Sequence, residues 1–199
     1  MSVRKSRIAA LAVLTAVVLP AATPAVAAPA QDAVSAQATA SGQAAPGYQT
    51  WQSDVKKAVA PAVPWLRGRS AERGGGKPAI VLDIDNTALE TYYHEGRANK
   101  PVLEVAEWAQ KHHMVVLFVT ARTSSSSARQ QLEHAGYPVD AICTREHGES
   151  KGEGKARCRE ELTRDGYAIT ANIGNRSTDF EGGYYEKGFK LPDYGGLLS

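Results

Sequence analysis

The sequence predicts an α/β fold in which a mainly parallel, five-stranded sheet is flanked by helices. Short runs such as Ala79–Leu82 and Met114–Val119 are almost wholly apolar, as strands covered on both faces must be. Helical patterns alternate with these runs along the chain, the order expected of βαβ units. Several runs also stop abruptly at a polar residue, Asp83 and Thr120 among them. In parallel sheets ligands gather at the carboxyl ends of the strands, near a topological switch point, so those residues mark where chemistry belongs.

The first 27 residues read as a secretory leader outside this fold. Arg4, Lys5 and Arg7 precede the apolar stretch Ile8–Leu19, and Ala25-Val26-Ala27 supplies a small-residue cleavage site. Removing the leader leaves 172 residues, enough for one compact domain. It also removes three basic residues and turns the net charge of +2 into −1, which excludes an electrostatic case for nucleic-acid binding. No later run reaches membrane length, so the mature chain is expected to have no membrane partner. Residues 28–47 are mostly Ala, Gln, Ser, Pro and Gly, with Asp32 the one charge, and read as a disordered tether. The folded domain is expected over 48–199, whose ordinary share of apolar and charged residues is that of a globular protein.

Within that domain, Tyr48 to Arg69 reads as two short helices broken around Pro61 and Pro64. The first strand, Ala79–Leu82, follows the glycines 74–76. Pro101 opens a helix with Val102, Val105, Ala106 and Ala109 on one stripe. Met114–Val119 is the second strand, and Ser124–His134 a serine-capped helix ended at Gly136. Val139–Cys143 is the third strand, Glu146–Gly154 a loop, Lys155–Arg164 a helix, Tyr167–Ile173 the fourth strand and Phe189–Leu191 the fifth.

The strand ends carry the chemistry. Asp83-Ile84-Asp85-Asn86-Thr87 places two carboxylates just past a buried strand, where they repel unless a divalent cation or an ammonium compensates them. A carboxylate there can attack a phosphoester as a nucleophile, and its neighbour can protonate the leaving oxygen and then activate water. The same pair also suits a turn cap and a solvated side chain. Thr120, in Phe118-Val119-Thr120-Ala121-Arg122, offers a hydroxyl to a phosphoryl oxygen. Lys151 and Lys155, placed in the loop before the helix bearing Arg157 and Arg159, can each neutralise the nucleophile and hold the transferred group. After the fourth strand, Asn175 and Asp179 offer oxygen ligands suited to a hard cation such as Mg2+.

In that order DIDNTALE, FVTAR, KARCREEL, GYAITANIGN and TDF resemble the motifs of the haloacid dehalogenase (HAD) superfamily. Within it the chain is most similar to secreted acid phosphatases related to class B enzymes and plant vegetative storage proteins. The resemblance implies a Rossmann-like core with strand order 5-4-1-2-3 and Mg2+-dependent hydrolysis of phosphomonoesters through an aspartyl-phosphate. It makes Asp83 the nucleophile, Asp85 the general acid/base and Thr120 a phosphate ligand. Lys155 is the motif lysine by its spacing to Gly166-Tyr167, with Lys151 second. Asp83, the main-chain carbonyl of Asp85, Asn175 and Asp179 would surround the metal. The chain departs from the family in two places. Asn175 stands where relatives carry Asp, so the site loses a negative charge or leaves Asp179 as the main ligand of that motif. Only the short segment Tyr92–Lys100 stands where relatives often have a longer cap, so the site is expected to be open, with Tyr92, Tyr93 and His94 nearest the leaving group.

The five histidines show no metal-binding spacing. Cys143 and Cys158 are the only cysteines, and export would place them where a pair bridges, pinning the lysine helix to the sheet. Two other functions fit the same residues: a non-catalytic storage or phosphoryl-binding relative, favoured only by Asn175, and a phosphotransferase that passes the group to an alcohol.

Overall fold

The computed structural model of the chain describes residues 44–70 and 75–198. The leader and residues 28–43 of the tether lie outside them. Residues 44–47 are already part of the folded unit: Ala45 packs on the core, and the Pro46 carbonyl accepts a hydrogen bond from Tyr93 Oη at 2.5 Å.

The chain runs α1 (Tyr48–Val59), α2 (Ala62–Ser70), β1 (Lys77–Leu82), α3 (Lys100–Lys111), β2 (Val115–Thr120), α4 (Ser125–His134), β3 (Ala141–Thr144), α5 (Lys151–Arg164), β4 (Tyr167–Gly174) and β5 (Lys187–Lys190). The five strands form one sheet, all parallel, in the order β3-β2-β1-β4-β5. This is the expected topology. β1 is central, and the chain switches from one side of it to the other when it passes from β3 to β4, so the switch point lies at the carboxyl end of β1.

Period-two alternation divides the strand residues between two layers. Ile80, Leu82, Val116, Phe118, Ala171 and Ile173 face a large core covered by α1–α4, with Trp51, Val55, Leu66, Val102 and Leu132 fully buried there. Ala79, Val81, Leu117, Val119 and Ile169 face the other way, onto Cys158 and Leu162 of α5. Burial on both sides explains the uninterrupted apolar runs. Among the described residues no helix is long and apolar enough to cross a membrane.

β1 starts two residues earlier than the sequence reading, at Lys77, β5 runs over Lys187–Lys190, and two further boundaries differ for a visible reason. β3 starts at Ala141 instead of Val139, because the Asp140 carboxylate takes the N–H of Val116 at 2.7 Å and so ends the ladder on that side. α5 starts a full turn earlier than Lys155. Ser150 Oγ accepts from Glu153 N at 3.2 Å and Glu153 Oε2 accepts from Ser150 N at 2.9 Å, a reciprocal capping box that nucleates the helix at Lys151. Lys151 and Lys155 are therefore helical, one turn apart.

Cys143, in β3, and Cys158, in α5, form a disulfide. The bridge closes a separation of 15 residues and ties the helix bearing Lys155 to the sheet. Replacing both cysteines by serine is expected to lower the unfolding free energy by about 3 kcal/mol, the scale for a loop of this size. Urea titration checks this, and a change of less than about 1 kcal/mol would contradict the bridge's stabilising role.

Candidate active site

The register of the central strands assembles the site. Leu82 of β1 stands opposite Phe118 of β2 and Ile173 of β4, so Asp83 emerges between the ends of both neighbours. Its N–H continues the ladder to the Ile173 carbonyl at 2.9 Å. The chain then turns tightly, with Ala88 N bonded to the Asp83 carbonyl and Leu89 N to that of Ile84. Asn86 sits in the left-handed region at φ 55°, a conformation Asn tolerates better than most side chains. Its amide is held at both ends, Oδ1 by the N–H of Tyr92 at 2.7 Å and Nδ2 by the carbonyl of Leu198.

Lys155 settles which lysine reaches the nucleophile candidate. Its ammonium donates to Asp83 Oδ1 at 2.6 Å and to Asp179 Oδ1, and all three side chains are buried. Lys151 lies exposed on the rim. Burial pushes the Asp83 carboxyl up and Asp179 pushes it further; Lys155 pulls it back, leaving it at about 6. Burial works against the charge of Lys155, but the two carboxylates outweigh it and hold its pKa above the ordinary lysine value. Asp83 Oδ2 accepts from Thr87 Oγ1 at 3.1 Å, and Asn175 Oδ1 lies 3.5 Å from the same hydroxyl.

The fourth-motif residues part company. Asn175 lines the pocket, whereas Asp179 lies behind it with both oxygens engaged, one by Lys155 and the other by Arg176 N at 2.7 Å. Gly174 permits this arrangement: a Cβ there would lie 2.3 Å from Asp179 Oδ2. Arg159, fully buried, donates to the carbonyls of Asp179, Glu181 and Gly183 and so fixes the whole loop after β4. The sequence carries no signal for that role, since nothing in α5 marks Arg159 as inward-facing.

Asp85 is held from the opposite side. Arg122 grips both its oxygens, Nε to Oδ2 at 2.9 Å and Nη2 to Oδ1 at 2.6 Å, and Thr91 Oγ1 donates to Oδ1 at 2.9 Å. Burial disfavours the Asp85 charge, but the guanidinium and the hydroxyl outweigh it and hold the carboxyl below its ordinary value. Arg122 belonged to a recognised motif but carried no assigned role, because its partner lies 37 residues away in the chain. Thr120 is buried at the end of β2, where its Oγ1 accepts from Arg122 N at 3.2 Å; Ala121, not Thr120, forms the pocket wall.

The short segment after the first motif behaves differently from expectation. Tyr93 stacks on Trp51 with ring centroids 4.9 Å apart, and His94 bonds Glu90 at 2.9 Å and meets the ring of Tyr48. Both turn toward α1 because that helix offers an aromatic surface to cover. Tyr92 is 49% exposed, and none of the three lines the pocket. Between β1 and α3 there are only turns and two isolated bridges, so no cap domain is present there.

The result is a pocket of about 260 Å³ at the sheet's carboxyl edge, with Asp83, Lys155 and Asn175 buried in its floor and Asp85, Asn86, Thr91, Lys151, Arg176 and Leu198 around them. Its donors are hard oxygens, the type Mg2+ selects. Asp83 and Asp179 share a single ammonium, which leaves one buried negative charge for a cation to balance. The oxygens of Asp83 and Asn175 in the pocket floor are the ones that would hold a divalent cation. Among the described residues no cluster of three or more His, Cys, Asp or Glu side chains forms a ready-made metal cage.

The family model for "HAD superfamily, subfamily IIIB (Acid phosphatase)" matches residues 93–197. The chain belongs to the acid phosphatases of HAD subfamily IIIB. The matched stretch covers the second, third and fourth motifs but begins after Asp83 and Asp85, whose placement rests on the geometry above. Two solved structures of the class C acid phosphatase from Bacillus anthracis, one with tungstate bound, share the fold. They align at TM-scores of 0.60 and 0.58, at 16% identity, over 74% of this chain and 80% of theirs. No curated protein sequence matches the chain. This HAD-type phosphatase thus keeps the superfamily's strand order around a site whose fourth motif begins with Asn175.

Proposed function

We propose that this acid phosphatase is an exported, Mg2+-dependent enzyme that hydrolyses small phosphomonoesters through an aspartyl-phosphate on Asp83. One observation carries the reading: the Lys155 ammonium lies 2.6 Å from Asp83 in the floor of an open pocket, so a nucleophile and a phosphoryl anchor share one site. In the first step Asp83 Oδ attacks phosphorus, the bond from phosphorus to the leaving oxygen breaks, and Asp85, released from the Arg122 grip and protonated from solvent before the step, gives that oxygen its proton. In the second, Asp85 takes a proton from water, whose oxygen attacks the same phosphorus and releases phosphate while the Asp83 carboxylate is restored. Lys155 stays charged throughout and pairs with the transferred group. Thr120, buried behind Ala121 with its Oγ1 accepting from Arg122 N, holds the turn that presents Arg122 to Asp85. Asp83 and Asn175 would hold Mg2+, which would supply charge neutralisation to the phosphoryl group.

Asn175 serves as the direct fourth-motif ligand in this reading and Asp179 as the residue that positions Lys155, since only Asn175 faces the pocket. The single buried negative charge left by the shared ammonium supports Mg2+. The disulfide supports export, because such bridges persist in oxidising compartments.

Turnover of p-nitrophenyl phosphate with Mg2+, repeated with EDTA, tests the proposal. Activity with Mg2+ and a loss of at least about 100-fold in EDTA are expected, the scale of removing a charge-stabilising group from the transition state. A chain inert at every pH and metal concentration would be a non-catalytic storage relative. Phosphoryl transfer to added alcohols, read from the products, would make it a phosphotransferase.

A further inference from the structure

The pocket carries two cations that the reaction above does not use. Arg176 follows Asn175, and its main-chain N–H is tied to Asp179. Its guanidinium, in contrast, makes no hydrogen bond or ion pair among the described residues, and Nη1 is buried with no acceptor. The head lies over the turn at Gly196, where a Cβ would come within 3.2 Å of Nη1, so a glycine there leaves the guanidinium its room. Lys151, at the first position of α5, lines the same pocket and forms no ion pair among the described residues. Thr178 adds a hydroxyl to the same wall.

Buried polar groups in proteins are nearly always paired, and leaving a charged donor unpaired is unfavourable. An arginine held this way awaits an acceptor that arrives with a ligand. The transferring phosphoryl group already has Lys155. We propose that Arg176 and Lys151 form a second anion subsite, so that the preferred substrates are small phosphomonoesters whose leaving group bears a carboxylate or a second phosphate; this rests on the phosphatase reading. A guanidinium fork and a nearby ammonium match the planar carboxylate and the tetrahedral phosphate alike. Arg176 and Lys151 line the same pocket of about 260 Å³ as Asp83, so the two anionic groups of such a substrate would stand within one small site.

Non-hydrolysable phosphonates separate the subsite from turnover. Calorimetry on the purified protein with Mg2+ compares propylphosphonate with 3-phosphonopropionate, which adds a carboxylate, and with propane-1,3-bisphosphonate, which adds a second phosphonate. At least one of the two doubly anionic compounds is expected to bind tenfold or more tightly than propylphosphonate, and the larger gain identifies the recognised group. Arg176→Met is expected to bring the affinity ratio to within twofold of one, and Arg176→Lys to retain part of it. Lys151 is exposed, so Lys151→Met reads the same ratio without disturbing the core and is expected to reduce it by about threefold, as one of two cations is lost. Equal binding of all three compounds by the wild type would overturn the subsite. So would a ratio that survives both Met variants, including the case in which Arg176→Met weakens every compound equally because it holds the reacting phosphoryl group. The activity itself is judged on p-nitrophenyl phosphate: an inert chain that still shows the tenfold preference keeps the subsite and loses the phosphatase reading.

Discussion

Asp83→Asn is expected to abolish turnover, by at least about a thousandfold, and yet to melt at a higher temperature than the wild type in EDTA at pH 7 to 8. The loss follows from chemistry: an amide oxygen does not form the acyl-phosphate. The gain follows from charge. Asp83 and Asp179 share the one Lys155 ammonium, and burial together with Asp179 places the Asp83 carboxyl at about 6, above its ordinary 3.8. A carboxyl whose pKa is raised by folding binds its proton more tightly in the folded state, so its ionisation opposes folding. That penalty is complete above the folded pKa and fades as pH falls from about 6 toward 3.8. The substitution removes it and leaves Asp179 and Lys155 as a balanced pair. The expected advantage is about 1–3 kcal/mol at neutral pH, vanishing near pH 4. Thermal melting in EDTA across that range, beside p-nitrophenyl phosphate assays with Mg2+, measures both effects. Full activity in Asp83→Asn would show that another group attacks phosphorus, and a lower melting temperature at pH 8 would show that Asp83 stabilises the metal-free fold.

Lys155→Met should be damaging in both respects. It removes the anchor of the transferred phosphoryl group, an effect of about a hundredfold or more on kcat/KM. It also leaves two buried carboxylates facing each other with no counter-charge, and breaking a buried pair in this way costs about 3–5 kcal/mol. The pH dependence gives the signature. Without the ammonium the carboxyls bind protons still more readily in the fold, so the variant regains stability as pH falls from 8 to 5. Urea titrations at the two ends of that range check the sign. A deficit independent of pH would mean that Lys155 acts through the packing of its stem and not through its charge. Lys151→Met, on the exposed rim, should show neither the instability nor its pH dependence.

These two effects show where sequence reading stops. The apolar runs Ala79–Leu82 and Met114–Val119 had to be double-covered strands, because a chain with such runs on an exposed face would not stay soluble. The polar residues at their ends therefore had to lie along one edge. The disulfide was legible from the two cysteines together with the expectation of export, since a pair in an oxidising compartment tends to bridge. The start of α5 was legible too, in Ser150-x-x-Glu153, but the glycines at 152 and 154 suggested a loop and the capping box outweighed them.

The sequence by itself determined the α/β fold class and the set of acidic, hydroxyl and basic residues from which the site is made. Only the tertiary structure decided how they divide the work. Asn175 rather than Asp179 faces the pocket, Arg122 grips Asp85, and Arg176 is left without an acceptor among the described residues, while Lys155, already preferred by its spacing, is the lysine that reaches Asp83. The physical reason is range. Strand and helix patterns are written in neighbours two to four residues apart, whereas these pairings join groups on different strands and helices. Strand register and the rotation of α5 set their separations, and no local pattern encodes either.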